Sequence, residues 1–228
     1  MYFLGVAGYG AQAVFRREVL FAKDYFDKSL NTSGRSIVLI NDKQKVDKHP
    51  LATKTSISRT LHGLSEKMDP EQDILFVYLS SHGSKSHEFS LNQPGLKIGD
   101  LSAQSFAKMI EDVPVKWKVI IVSACYSGGF IPLSENNSTL IMTASAADKK
   151  SFGCSDENHF TYFGEAFFKD SLPTAGSFVD AFSKATAIIA KKESGNGYEL
   201  SEPQISKPDT IVSHLSAWWA TRASVVAP

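Results

Sequence analysis

Five short runs of almost uninterrupted apolar residues recur along this chain: Tyr2–Ala7, Ser36–Ile40, Asp73–Ser80 (DILFVYLS), Trp117–Ala124 (WKVIIVSA) and Ser138–Ala144. A strand that is apolar at nearly every position needs cover on both faces, and parallel sheets with helices on either side provide it. The intervening stretches have helical spacing. Gln12–Leu30 carries Val14, Phe15, Val19, Leu20, Ala22, Tyr25 and Phe26 on one face. Thr53–Met68 and Leu101–Val113, the latter with Asp100 as its cap, follow the same pattern, as do Thr161–Leu172, Ser177–Lys192 and Asp209–Arg222. Pro203–Ile205 is expected to add a short edge strand. The expected fold is α/β, a three-layer α/β/α sandwich with about six mostly parallel strands, in a single domain over residues 1–228.

Charge and cysteine usage narrow the function classes. Lys plus Arg number 24 and Asp plus Glu number 24, so the formal net charge is zero. That balance argues against a nucleic-acid-binding surface and against a polybasic membrane anchor. Two cysteines exclude a disulfide framework. No apolar run reaches the length of a membrane span, and Trp218-Trp219 lacks the basic face of an interfacial helix. MYFLGVAGYG has no basic lead-in and reads as a strand rather than a signal peptide. A chain that opens on its first core strand is expected to be a soluble domain of something longer, with its compartment and oligomeric state left open.

In open parallel sheets the working groups lie beyond the carboxyl ends of the strands. The third run ends in Ser80-Ser81-His82-Gly83, and the fourth in Ser123-Ala124-Cys125-Tyr126-Ser127-Gly128-Gly129. His82 and Cys125 stand 43 residues apart with one helix between them, so both are expected at the same sheet edge. A thiolate attacks carbonyl carbon, and a neighbouring imidazole supplies the base. The glycines after Cys125 allow a sharp turn, and the backbone N–H groups of Gly83 and Cys125 can face a developing oxyanion. Each residue taken singly also has a bland reading, as a buried thiol or a structural histidine; the joint placement favours chemistry.

DILFVYLSSHG followed by KVIIVSACYSGGF resembles the legumain-type asparaginyl peptidases, relatives of caspases, and the similarity continues through TASAADKKSFGC and TYFGEAFF. It is that of a bacterial-type member. The resemblance implies a caspase-like sheet, a cysteine endopeptidase acting after Asn or Asp on a peptide or protein substrate, and no cofactor. Cys125 would be the nucleophile, His82 the base and Gly83 part of the oxyanion hole. Arg16, Glu165, Ser123 and Ser151 would bind substrate, with Arg16 and Glu165 taking the two ends of an Asn amide. Three positions depart from the family pattern. Ser123 stands where the family has an acid, Ser81 where it has Asp, and Val14 where it has an Asn that orients the histidine. Gln12 is the nearby side chain to take that last role. The departures keep a second reading open, a catalytically silent caspase-like module that binds partners.

Weaker signals complete the sequence. Gly8-Tyr9-Gly10-Ala11-Gln12-Ala13 fits a dinucleotide fingerprint, but Asp42 lies too far on to be its acid, so the glycines read as a turn. His82, His87, Glu88, Cys154 and His159 lack metal-ligand spacing, and no metal is expected. Cys154 is expected to be structural or a thiol at the rim of the site. Ile131–Thr139 is expected to be an exposed polar loop, with Asn136 and Asn137 open either as plain surface or as a self-cleavage site.

Overall fold

The computed structural model describes residues 1–44 and 47–223. In chain order the strands are β1 (Tyr2–Ala7), β2 (Ser36–Ile40), β3 (Ile74–Ser80), β4 (Glu88–Phe89), β5 (Leu101–Ser102), β6 (Trp117–Ser123), β7 (Thr139–Thr143) and β8 (Gln204–Ser206). The helices are α1 (Ala13–Ser29), α2 (Lys54–Ser65), α3 (Ala103–Glu111), α4 (Ile131–Ser134), α5 (Tyr162–Gly164), α6 (Phe178–Gly195) and α7 (Asp209–Ala223). Six strands form one sheet in the order β2-β1-β3-β6-β7-β8, and β4 pairs with β5 in a separate ribbon. All pairings in the large sheet are parallel except that of β7 with β8.

The apolar runs are strands because both their faces are covered. Leu4, Val6, Leu75, Val77, Leu79, Ile120 and Val122 pack on one face, with Ile57 and Leu61 of α2 and Phe106 and Ile110 of α3. Phe3, Phe76, Tyr78, Val119 and Ile121 pack on the other, with residues of α1, α6 and α7. The second face is strongly aromatic: Phe26 of α1 lies 4.4 Å from Phe76 and 4.7 Å from Phe3, ring to ring. Strand order reverses between β1 and β3, since the chain goes from β1 outward to β2 and then returns to the other side of β1. Such a switch point opens a crevice at the strands' carboxyl ends.

Four details depart from the sequence expectation. The third long helix starts at Ala103, capped by Ser102 rather than Asp100. Asp100 instead accepts the Leu91 N–H at 2.8 Å, because Leu101 and Ser102 are taken up in pairing with Phe89 and Glu88. The expected helix over Thr161–Leu172 is a short turn at α5 that widens into a π-helix, Glu165–Ser171. The first part of the expected loop over Ile131–Thr139 is helical, Ile131–Ser134 as α4 following a 3₁₀ turn over Ser127–Phe130, while Asn136 and Asn137 are exposed. The turn after Cys125 is taken not by a glycine but by Tyr126, at φ 58°.

Candidate active site

β3 and β6 run parallel with Ser80 opposite Ser123. The chain therefore carries His82 two residues beyond one strand and Cys125 two residues beyond its neighbour. Their backbones touch: a Cβ on Gly83 would overlap the carbonyl oxygen of Cys125. Glycine is required there for close approach. Gly128 and Gly129 serve the same purpose rather than turning the chain. A Cβ on Gly128 would lie 2.5 Å from the Ala147 nitrogen, and one on Gly129 would enter the His87 ring. Left-handed φ at a tyrosine is costly and persists only where the surroundings hold it. Here the Tyr126 N–H donates to the Lys149 carbonyl at 2.7 Å, and the Tyr126 carbonyl accepts from His87 Nδ1 at 3.0 Å.

The Cys125 thiol donates to the Ser151 carbonyl at 3.5 Å and accepts the Ser151 N–H at 3.4 Å. The Ser151 hydroxyl lies 3.8 Å from the sulfur. His82 is half-buried between two rings, Tyr9 at 4.6 Å and Phe15 at 5.1 Å, both edge-on. Its Nε2 donates to Gln12 Oε1 at 2.5 Å. Because that oxygen only accepts, the proton sits on Nε2 and Nδ1 is left with its lone pair. Burial pushes the His82 imidazolium below the usual histidine value, so the ring is neutral at pH 7. No hydrogen bond joins His82 to Cys125 among the described residues. Catalytic hydrogen bonds are often long before substrate binds. The N–H groups of Gly83 and Cys125 meet no protein acceptor among the described residues.

A buried carboxylate lies under this edge. Glu18 is fully buried; it accepts from Tyr78 Oη at 2.6 Å, from the Ser80 hydroxyl, and from the Thr161 N–H at 2.8 Å. It thus ties α1 to the end of β3 and to the cap of α5. Burial pushes its pKa up, and the hydrogen bonds from Ser80, Tyr78 and Thr161 pull it back. Ser123 is part of the same layer, 2% exposed, its hydroxyl 3.4 Å from that of Thr161. The structure therefore brings Ser151 to the thiol and encloses Ser123 beneath it.

The expected pairing of Arg16 with Glu165 is not formed. Glu165 lies at the start of the π-helix, and its carboxylate is bound at 2.8 Å by Lys192 and at 2.9 Å by Lys169, which hold it below the usual carboxylate range. Arg16 instead meets the buried Asp42, through Nε and Oδ2, and its terminal nitrogens meet no protein acceptor among the described residues. Asp42 follows β2 and Arg16 lies in the first turn of α1, so both belong to the same sheet edge as His82. In the sequence the spacing of Asp42 suits no nucleotide site, and nothing linear links it to Arg16. Cys154 is mostly enclosed, and burial, with Cys125 and Glu18 nearby, pushes its thiol up to about 12. Among the described residues no three His, Cys, Asp or Glu side chains are grouped to hold a metal, and no helix is long and apolar enough to cross a membrane.

Helices on both faces of this sheet, with a thiol and an imidazole at adjacent strand ends, define a caspase-like α/β protein. Caspase-1 from Spodoptera frugiperda has the same fold: the match has a TM-score of 0.59 at 15% identity, over 90% of this chain and 84% of that one. A family model narrows the class further. The peptidase C13 family matches residues 66–212, and the chain belongs to that family. A comparison with curated proteins returned no match.

Proposed function

We propose that this protein is a cysteine endopeptidase in which Cys125 is the nucleophile and His82 the general base, in one peptidase domain over residues 1–228. The observation that carries the reading is the close approach of Gly83 to the Cys125 carbonyl, together with the Gly83 and Cys125 N–H groups, which meet no protein acceptor among the described residues. His82 Nδ1 takes the thiol proton, and the thiolate sulfur bonds to the peptide carbonyl carbon. The carbonyl electrons move onto oxygen, which accepts from the two N–H groups. Collapse expels the amine, protonated by His82, and leaves a thioester that water hydrolyses. Ser151 must release the sulfur for this to occur.

The specificity assigned is for Asp and Asn before the scissile bond. The terminal nitrogens of Arg16, without a protein acceptor among the described residues, suit a side-chain carboxylate or carboxamide oxygen. Asp42, not Glu165, supplies the acidic partner beside it. Asp42 is engaged through Arg16 Nε, which leaves the terminal guanidinium nitrogens to donate to the side-chain oxygen of either residue. The chemistry supports peptide or protein substrates.

Cleavage of a fluorogenic peptide panel with Asp, Asn, Arg and Lys before the scissile bond tests this reading, with Cys125→Ala run alongside. Turnover after Asp or Asn, absent in the variant, is expected. Turnover after Arg or Lys would discard the Arg16 pocket but keep the peptidase. A protein silent between pH 4 and 8 would favour the second reading, a partner-binding module whose thiol stays on Ser151.

A further inference from the structure

At the amino end of β6, the end of the sheet away from Cys125, lies a second polar cavity. Cys125 is seven residues further along the strand, about 20 Å away at the usual rise of extended chain. The cavity is about 370 Å³ and is lined by Ala107, Ile110 and Glu111 of α3, Lys118, and Leu133 to Asn136. Two of its groups meet no protein partner among the described residues. Lys118 is 7% exposed, yet its ammonium makes no hydrogen bond or ion pair among the described residues. The Ser134 hydroxyl is buried and has no partner among the described residues. The Lys118 side chain is largely enclosed, and burial pushes its ammonium below the usual lysine value. The rim has the opposite sign. Glu111 and Glu135 are exposed; Glu135 accepts from the Ser206 hydroxyl at 2.8 Å.

Such a site is bipolar, with cationic and hydroxyl donors inside and carboxylates at the mouth. A bare anion would satisfy Lys118 and Ser134 but would meet the repulsion of two glutamates. A bare amine would meet the reverse. We propose that this cavity binds a small zwitterion, of the size and charge pattern of a free amino acid, with its carboxylate on Lys118 and Ser134 and its ammonium toward Glu111 and Glu135. The site is independent of the peptidase reading and shares no residue with it.

The test is an NMR titration of the ¹⁵N-labelled protein with β-alanine, and separately with acetate and with ethylamine. β-Alanine is expected to produce saturable shifts confined to residues 107–111, 118 and 134–136. Its affinity should exceed that of acetate and of ethylamine at least tenfold, and Lys118→Met should weaken it at least tenfold. Ser134→Ala, a smaller change, should weaken it several-fold and serves if the lysine variant does not fold. Glu111→Gln should reduce binding of β-alanine but not of acetate. Absence of saturable shifts, unchanged affinity in Lys118→Met or Ser134→Ala, or acetate binding as tightly as β-alanine would each overturn the proposal.

Discussion

Removing the Glu18 carboxylate should separate the cost of an orphaned network from the cost of a buried charge. Glu18→Ala leaves three donors, Tyr78 Oη, Ser80 Oγ and the Thr161 N–H, without their common acceptor. Each unsatisfied buried donor costs about 1–3 kcal/mol. Relief from burying a carboxylate offsets part of that sum, leaving a net loss of about 3 kcal/mol. At about 2–4 °C per kcal/mol for a chain of this size, Tm should fall by about 10 °C. Glu18→Gln should behave differently. Its oxygen can stay on the Thr161 N–H, the only donor fixed in direction, and both hydroxyls can rotate to accept from the new amide. It should therefore stay within about 1 kcal/mol of wild type at pH 7.

The pH dependence of this pair has a definite sign. Burial raises the folded-state pKa of Glu18 above its unfolded value, so the folded protein holds the proton more tightly. The stability linked to that proton is fully present below the unfolded value, about 4.3, and is lost as pH rises through the folded one. Wild type should thus lose ground to Glu18→Gln as pH rises from 4.5. Urea unfolding of all three proteins across pH 4.5–8 measures both effects. An alanine variant no less stable than the glutamine variant, or a wild type that gains on Glu18→Gln with rising pH, would refute the reasoning.

Other expectations follow from the same geometry. Gly83→Ala puts a methyl into the Cys125 carbonyl and should abolish peptidase activity even where circular dichroism shows a folded chain. Gln12→Ala frees the His82 ring and should lower kcat/KM about 10- to 100-fold, the usual consequence of a misplaced catalytic group; full activity would show that the two flanking rings suffice. Burial of His82 should place the acid limb of the kcat/KM profile below the ordinary histidine value of about 6.5, and a limb centred above it would contradict a desolvated base. Iodoacetamide at neutral pH should alkylate Cys125 and spare Cys154, whose thiol burial holds at about 12; intact and peptide mass spectra distinguish the two.

The layers of this fold were legible from apolar periodicity, because a strand buried on both faces must be apolar at nearly every position. The positions of His82 and Cys125 were legible for the same reason: each ends such a strand, and one crossover helix makes the strands neighbours. Local pairing that depends on remote residues was not legible. Asp100 looked like a cap until the β4–β5 ribbon took up the two residues after it. Nor does a linear pattern announce a π-helix, since its residues have the composition of any amphipathic turn.

The candidate site divides along the same line. Chain order alone determined which strand ends carry a thiol and an imidazole, since backbone connectivity and right-handed crossovers leave few alternatives. Tertiary structure alone decided the partners. Arg16 faces Asp42 and not Glu165, Gln12 holds His82, His87 braces Tyr126, and Glu18 fastens three elements from beneath. These contacts join residues up to 143 positions apart. Side-chain direction and burial set them, and neither quantity exists until the helices have packed on the sheet.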